Sequence, residues 1–277
     1  MGGLVGKVGI WVAAAALIWV WVRMLEWKTT FYPSRQLWCT PAEQALEYEE
    51  VHFVAEDACR LHGWWITGPP KARGAVIVCH GNAGNIADRV WMAQAFTSLG
   101  LNVFLFDYRG YGRSAGIPTE RGLYRDARAA YEVVRARYGD VEDPPVIVYG
   151  RSLGAAVAVN LAAERAVRGV VLEGAFTRAR DMARVIYPWL PIGWLLSQRF
   201  DSLSKIGLLG GVPKIIAHSR DDEIVPFELG RALFDAAPPP KKFCELRGSH
   251  NDCGWDSSPA YWSEIRRLVG AVLRRGD

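Results

Sequence analysis

Beyond residue 50 the chain alternates short apolar or β-branched runs with longer stretches in which apolar residues recur every three or four positions. The short runs, Val51 to Val54, Trp64 to Thr67, Ala75 to Cys79, Asn102 to Phe106, Val146 to Tyr149 and Gly169 to Leu172, predict strands. Between them, Ile86 to Ser98, Leu123 to Tyr138 and Leu153 to Glu164 carry helical periodicity. The C-terminal part repeats the theme: strand over Lys214 to His218, helix over Phe227 to Ala236, strand over Phe243 to Leu246, helix over Pro259 to Arg274. Alternation of this kind builds an α/β fold, a mostly parallel central sheet with helices on both faces. One segment breaks the rhythm. Phe176 to Gly211 is long, holds Pro188, Trp189, Pro191 and Trp194, and lies between two predicted strands. Connections of that length usually serve function, so a small helical lid is expected over about residues 176–211.

The N-terminus has a different pattern. From Gly2 to Val22 the single charge is Lys7, and Val8 to Val22 contains nothing polar but indole nitrogens. A helix of about 20 residues rising about 1.5 Å per residue crosses a hydrocarbon core of about 30 Å. Trp11, Trp19, Trp21 and Trp27 bracket the run, and Arg23 and Lys28 close it. The bulky residues after the run are wrong for signal-peptide cleavage. The pattern therefore predicts a single-pass N-terminal transmembrane anchor over residues 1–28, with the remaining domain over 29–277. The flanking charges are balanced and leave the side of the membrane open.

Half of the 277 residues are hydrophobic, which excludes disorder. The 33 basic and 29 acidic residues are spread along the chain without a basic cluster, so no nucleic-acid partner is expected. Cys39, Cys59, Cys79, Cys244 and Cys253 form no C-x-x-C pair, and free thiols are expected rather than a zinc site or disulfide framework.

The chemistry concentrates where predicted strand meets predicted helix. Gly150-Arg151-Ser152-Leu153-Gly154 stands between Tyr149 and the helix from Leu153. A serine hydroxyl becomes an efficient nucleophile when held on a tight strand-to-helix turn whose glycines avoid clashes and whose helix start offers an N–H to a developing oxyanion. Ser152 is thus a candidate nucleophile, against a helix-capping role. Its base must be a histidine. His80, His218 and His250 each follow an apolar run directly, where loops of open α/β sheets carry sites. His250 alone lies downstream of both the serine and the acid candidates, giving the order Ser, acid, His. For the acid, Asp221, Asp222 and Glu173 remain open on the residues alone.

The sequence resembles the α/β-hydrolase superfamily, in particular its compact serine hydrolases with an N-terminal membrane segment. The resemblance runs from about Phe31 to the last helix. It rests on His80-Gly81-Asn82-Ala83-Gly84-Asn85, on Asp107 to Ser114 (DYRGYGRS), on Gly150 to Gly154, on His218 to Pro226 and on the Ser249-His250-Asn251-Asp252 run. The family pattern H-G-x-x-D-x-x-V-P, aligned from His218 with Val225-Pro226, implies Asp222 as the acid. The backbone N–H groups of Asn82 and Leu153 are implied as the oxyanion hole. One departure is Ala58, where relatives usually carry Gly.

The expected function is a serine hydrolase of acyl esters or thioesters, working through Ser152, His250 and Asp222 and an acyl-enzyme, with no metal or organic cofactor. Trp189, Leu190, Ile192, Trp194, Leu195 and Leu196 in the expected lid suggest an apolar, lipid-derived acyl substrate. A peptidase or amidase with the same triad, or a non-catalytic binding protein of this fold, are the competing readings.

Overall fold

The computed structural model describes residues 2–70, 72–139, 141–189, 196–252 and 258–274, with backbone alone for residues 2–10, 12 and 15. Helix α1 (Gly2–Thr30) leads into strands β1 (Tyr32–Pro33), β2 (Tyr48–Val54), β3 (Arg60–Ile66), β4 (Gly74–Cys79) and β5 (Ala83–Gly84). A single 3-10 turn (Ile86–Arg89) precedes α2 (Val90–Ser98), followed by β6 (Leu101–Asp107), α3 (Glu120–Ala136), β7 (Val146–Arg151), α4 (Leu153–Glu164) and β8 (Gly169–Glu173). Helices α5 (Ala179–Ile186) and α6 (Ser202–Ile206) then lead to β9 (Lys214–Ser219), α7 (Phe227–Ala236), β10 (Lys241–Leu246) and α8 (Pro259–Arg274).

Eight strands form one sheet in the order β2-β3-β6-β4-β7-β8-β9-β10. The β2–β3 and β3–β6 pairs are antiparallel and the others parallel, as the alternation predicts. Because successive strand residues face opposite sides, the continuous apolar runs feed two cores. Ala75, Ile77 and Cys79 of β4 join one with residues of α3, α4 and α7; Val76 and Val78 join the other with residues of α2 and α8. The parallel strands end together, with Cys79 opposite Gly150 and Arg151 opposite Glu173, so the loops after them share one rim.

The predicted helix over Ile86 to Ser98 is two elements. Asn85 accepts from Ala87 N–H while Asp88 reaches back to Asn85 N–H, a capping box that tightens the first turn. Ala58, the departure from the family pattern, has φ +61°, in the left-handed region that glycine adopts without strain. Among the described residues Cys39, Cys59, Cys79 and Cys244 are free thiols; Cys253 lies outside them.

The transmembrane anchor is not found: among the described residues no helix is long and apolar enough to cross a membrane. The side chains of residues 2–10, 12 and 15 fall outside the description. The last turns of α1 belong to the globular body. Arg23 pairs with Glu26 at 2.8 Å, and the buried Glu26 carboxylate accepts from Ser197 and Gln198 N–H, each at 2.8 Å. Trp27 Nε1 donates to Pro118 O. A charged, docked end of this kind cannot serve as apolar surface.

The excursion between β8 and β9 carries α5 and α6. Its returning segment is held by Glu26 and by Glu120, whose carboxylate accepts from Phe200 N–H at 2.8 Å and Tyr124 O–H at 2.9 Å. Trp189 is exposed; Leu190, Ile192, Trp194 and Leu195 of the expected lid lie outside the described residues.

Candidate active site

Ser152 stands between β7 and α4 with φ +53° and ψ −120°, a conformation that costs an ordinary residue about 1–3 kcal/mol. Its side chain makes no capping bond, which removes the helix-cap reading. The turn is tight because neighbouring elements leave no room. A Cβ on Gly150 would lie 2.4 Å from Gly154 O, and one on Gly154 would lie 2.0 Å from Cys79 O and 2.5 Å from His80 O, both backbone atoms at the end of β4. Gly154→Ala is therefore expected to destabilise the fold by about 1–3 kcal/mol or more, although alanine is the better helix former. Urea unfolding of the pair gives the sign: a lower midpoint in the variant agrees, and a higher one would mean that β4 yields.

His250 and Asp222 meet. His250 Nδ1 is 2.7 Å from Asp222 Oδ2, and both side chains are buried. Asp222 Oδ1 accepts from Ile224 N–H at 3.0 Å and Val225 N–H at 2.7 Å. Burial raises the Asp222 pKa, but hydrogen bonds from His218, His250 and Val225 N–H outweigh it and hold the carboxyl well below the usual range. Asp221 turns away to Arg247 and Gly248 N–H. Glu173 accepts from Tyr149 and Tyr261 hydroxyls at 3.0 and 3.1 Å and pairs with Arg151 at 3.3 Å. Of the three acid candidates, the structure brings Asp222 to His250.

Ser152 and His250 border the same short segment. Ser152 N–H donates to Glu173 O at 2.8 Å, and a Cβ on the next residue, Gly174, would lie 3.1 Å from His250 Cε1. From the other side, a Cβ on Gly81 would lie 3.8 Å from Ser152 Cβ, so the loop bearing Asn82 runs past the serine. Leu153 is the first residue of α4. His80 Nδ1 lies 2.8 Å from Gly81 O, fixing the peptide plane that carries Asn82 N–H. Burial first, then Arg89, push the His80 pKa down to about 3, so the imidazole is neutral and donates this bond. Tyr111 O–H and Tyr32 N–H hold Asn82 O.

Three positioning groups escaped sequence reasoning. Arg151 donates to His250 O, across 99 residues of chain, and Glu223 accepts from His250 N–H at 2.9 Å. His218, by its place after an apolar run, is a candidate base in the sequence. It lies instead behind the acid, fully buried, with Nε2 2.8 Å from Val225 O and 3.4 Å from Asp222 Oδ2. No group of three His, Cys, Asp or Glu among the described residues is arranged to hold a metal.

The family described as serine aminopeptidase, S33, matches residues 70–206, which take in Asn82 and Ser152 and stop before Asp222 and His250. The chain is 31% identical over 280 residues to the alpha/beta hydrolase domain-containing protein WAV2 of Arabidopsis thaliana, covering 92% of this chain and 89% of that protein. The chain belongs to the α/β-hydrolase superfamily. It is also 32% identical to the lysophosphatidylserine lipase ABHD12 of Macaca fascicularis, over 77% of this chain and 59% of that protein. The Pyrococcus furiosus esterase Pf2001 has the same fold, with a TM-score of 0.69 at 21% identity over 89% of this chain and 98% of that one. Membership of this superfamily supports the chain as a hydrolase.

Proposed function

We propose that the chain is a serine hydrolase that cleaves acyl esters or thioesters through Ser152, His250 and Asp222. The observation that carries the reading is the buried His250–Asp222 bond of 2.7 Å facing the segment that anchors the strained Ser152 turn. In this scheme His250 Nε2 takes the Ser152 proton as the hydroxyl attacks the carbonyl, and Asp222 holds the proton on Nδ1. The N–H groups of Asn82 and Leu153 receive the oxyanion, each contributing about 3–4 kcal/mol to the transition state. His250 then protonates the leaving group, and water, deprotonated by His250, releases the acid from the acyl-enzyme. In this reading the catalytic body takes in the docked end of α1 and runs on through α8, and the excursion over about residues 176–211 serves it as a lid.

A lipid-like acyl group is the favoured substrate, in keeping with the relative named as a lysophosphatidylserine lipase. The family description, serine aminopeptidase, favours a second reading, cleavage of an N-terminal aminoacyl amide by the same triad. A p-nitrophenyl ester series of rising acyl length, run beside aminoacyl p-nitroanilides, separates the two. Esters are expected to be cleaved, with kcat/KM rising with chain length to the size of the pocket. Turnover confined to the anilides would make the chain a peptidase.

A further inference from the structure

Among the described residues, the arginines that are not solvent-exposed have a carboxylate oxygen within 4.0 Å, as in Arg23–Glu26, Arg109–Asp126 and Arg168–Asp143, with one exception. Arg89, half-buried at the end of the 3-10 turn Ile86–Arg89, has none. Its Nη1 donates to Asp88 O at 3.1 Å and its Nη2 to Ala83 O at 3.2 Å, while Nε is shielded from solvent without a partner. The adjacent carboxylate is committed elsewhere: Asp88 accepts from Trp38 Nε1 at 2.7 Å and from Asn85 N–H at 3.0 Å. Burial, then the nearby Arg151 charge, lower the Arg89 pKa from its ordinary value; the Asp88 charge offsets this only in part, and its carboxylate forms no ion pair with the guanidinium.

The position gives the charge a use. Ala83, which Arg89 grips, follows Asn82 of the proposed oxyanion hole, and Arg151 precedes Ser152. Arg151 is itself neutralised by Glu173. We infer that Arg89 recognises an anionic group of the substrate, so that the preferred substrates are acyl esters bearing a phosphate or carboxylate beside the scissile bond. The inference rests on the serine-hydrolase reading above. A guanidinium presents paired donors that suit either anion, and a neutral ester leaves the partly desolvated charge unanswered.

The test compares kcat/KM of the full chain on monolauroylglycerol, on lauroylglycerol phosphate and on the lauroyl ester of glyceric acid, for wild type, Arg89→Lys and Arg89→Gln. The readout is the anionic-to-neutral ratio within each protein, which a loss of folded material does not move. Wild type is expected to favour at least one anionic ester by about 10- to 100-fold, and which one identifies phosphate or carboxylate. The ratio should fall towards unity in Arg89→Gln and lie between in Arg89→Lys. If neither variant folds, lauryl phosphate should inhibit wild-type turnover of monolauroylglycerol at least about 10-fold more strongly than lauryl alcohol. A wild-type ratio near one, or an equal ratio in wild type and Arg89→Gln, overturns the role of Arg89 while leaving the hydrolase intact. Failure of the wild type to cleave any ester removes the hydrolase reading and this inference with it.

Discussion

Ser152→Ala is expected to lower ester hydrolysis by about 10⁶-fold in kcat, to the level of residual binding and oxyanion effects. The size follows from the position. Ser152 supplies the nucleophilic oxygen in the proposed scheme, and its backbone conformation, φ +53°, is imposed by β7, α4 and the Glu173 carbonyl rather than by its hydroxyl. Alanine inherits that conformation, so the fold and the His250–Asp222 pair should persist while the chemistry is lost. Equal thermal midpoints with activity at background would agree. A variant retaining a tenth of wild-type activity would mean that another group attacks the carbonyl.

Asp222→Asn carries the second large effect, about 10⁴-fold in kcat, or about 5 kcal/mol of transition-state stabilisation. The reason lies in the partners of each oxygen. Oδ1 accepts two backbone N–H groups, from Ile224 and Val225, so an asparagine must place its carbonyl there and turn its NH2 towards His250. That amide donates to Nδ1, the imidazole proton moves to Nε2, and the ring can no longer accept the serine proton. The buried His218 Nε2, 3.4 Å from Oδ2, then also loses a carboxylate neighbour. Rates for wild type and variant on one p-nitrophenyl ester measure the ratio. A loss under 10-fold would show that Asp222 does not orient His250, and Glu173 would become the acid to examine.

Much of this arrangement was legible in the sequence because it is local. The turn at Gly150 to Gly154 is written in five consecutive residues, and the continuous apolar runs of β4, β7 and β8 reflect strands buried on both faces. Asp222 needed more than periodicity, since Asp221 beside it has the same chemistry; the hydrogen bonds from Ile224 and Val225 decide which carboxylate turns inward. What the sequence hid is long-range. The Arg151 bond to His250 O and the docking of Glu26 on Ser197 join residues far apart in the chain, and no spacing rule reports them. The N-terminal anchor is not found among the described residues, and the end of α1 shows a long-range effect of the same kind. Hydropathy weighs Arg23 and Trp27 as the flank of a span, whereas in the fold Arg23 pairs with Glu26, and Glu26 and Trp27 bond to the body.

The central claim, that Ser152 is an activated nucleophile, is tested most directly by labelling the full chain and its Ser152→Ala variant with a fluorophosphonate and locating the adduct by peptide mass spectrometry. The account predicts a single adduct, on the peptide bearing Ser152, absent from the variant and suppressed by a lauroyl ester added beforehand. No adduct on folded wild-type protein, or an adduct at another residue that survives Ser152→Ala, would contradict it.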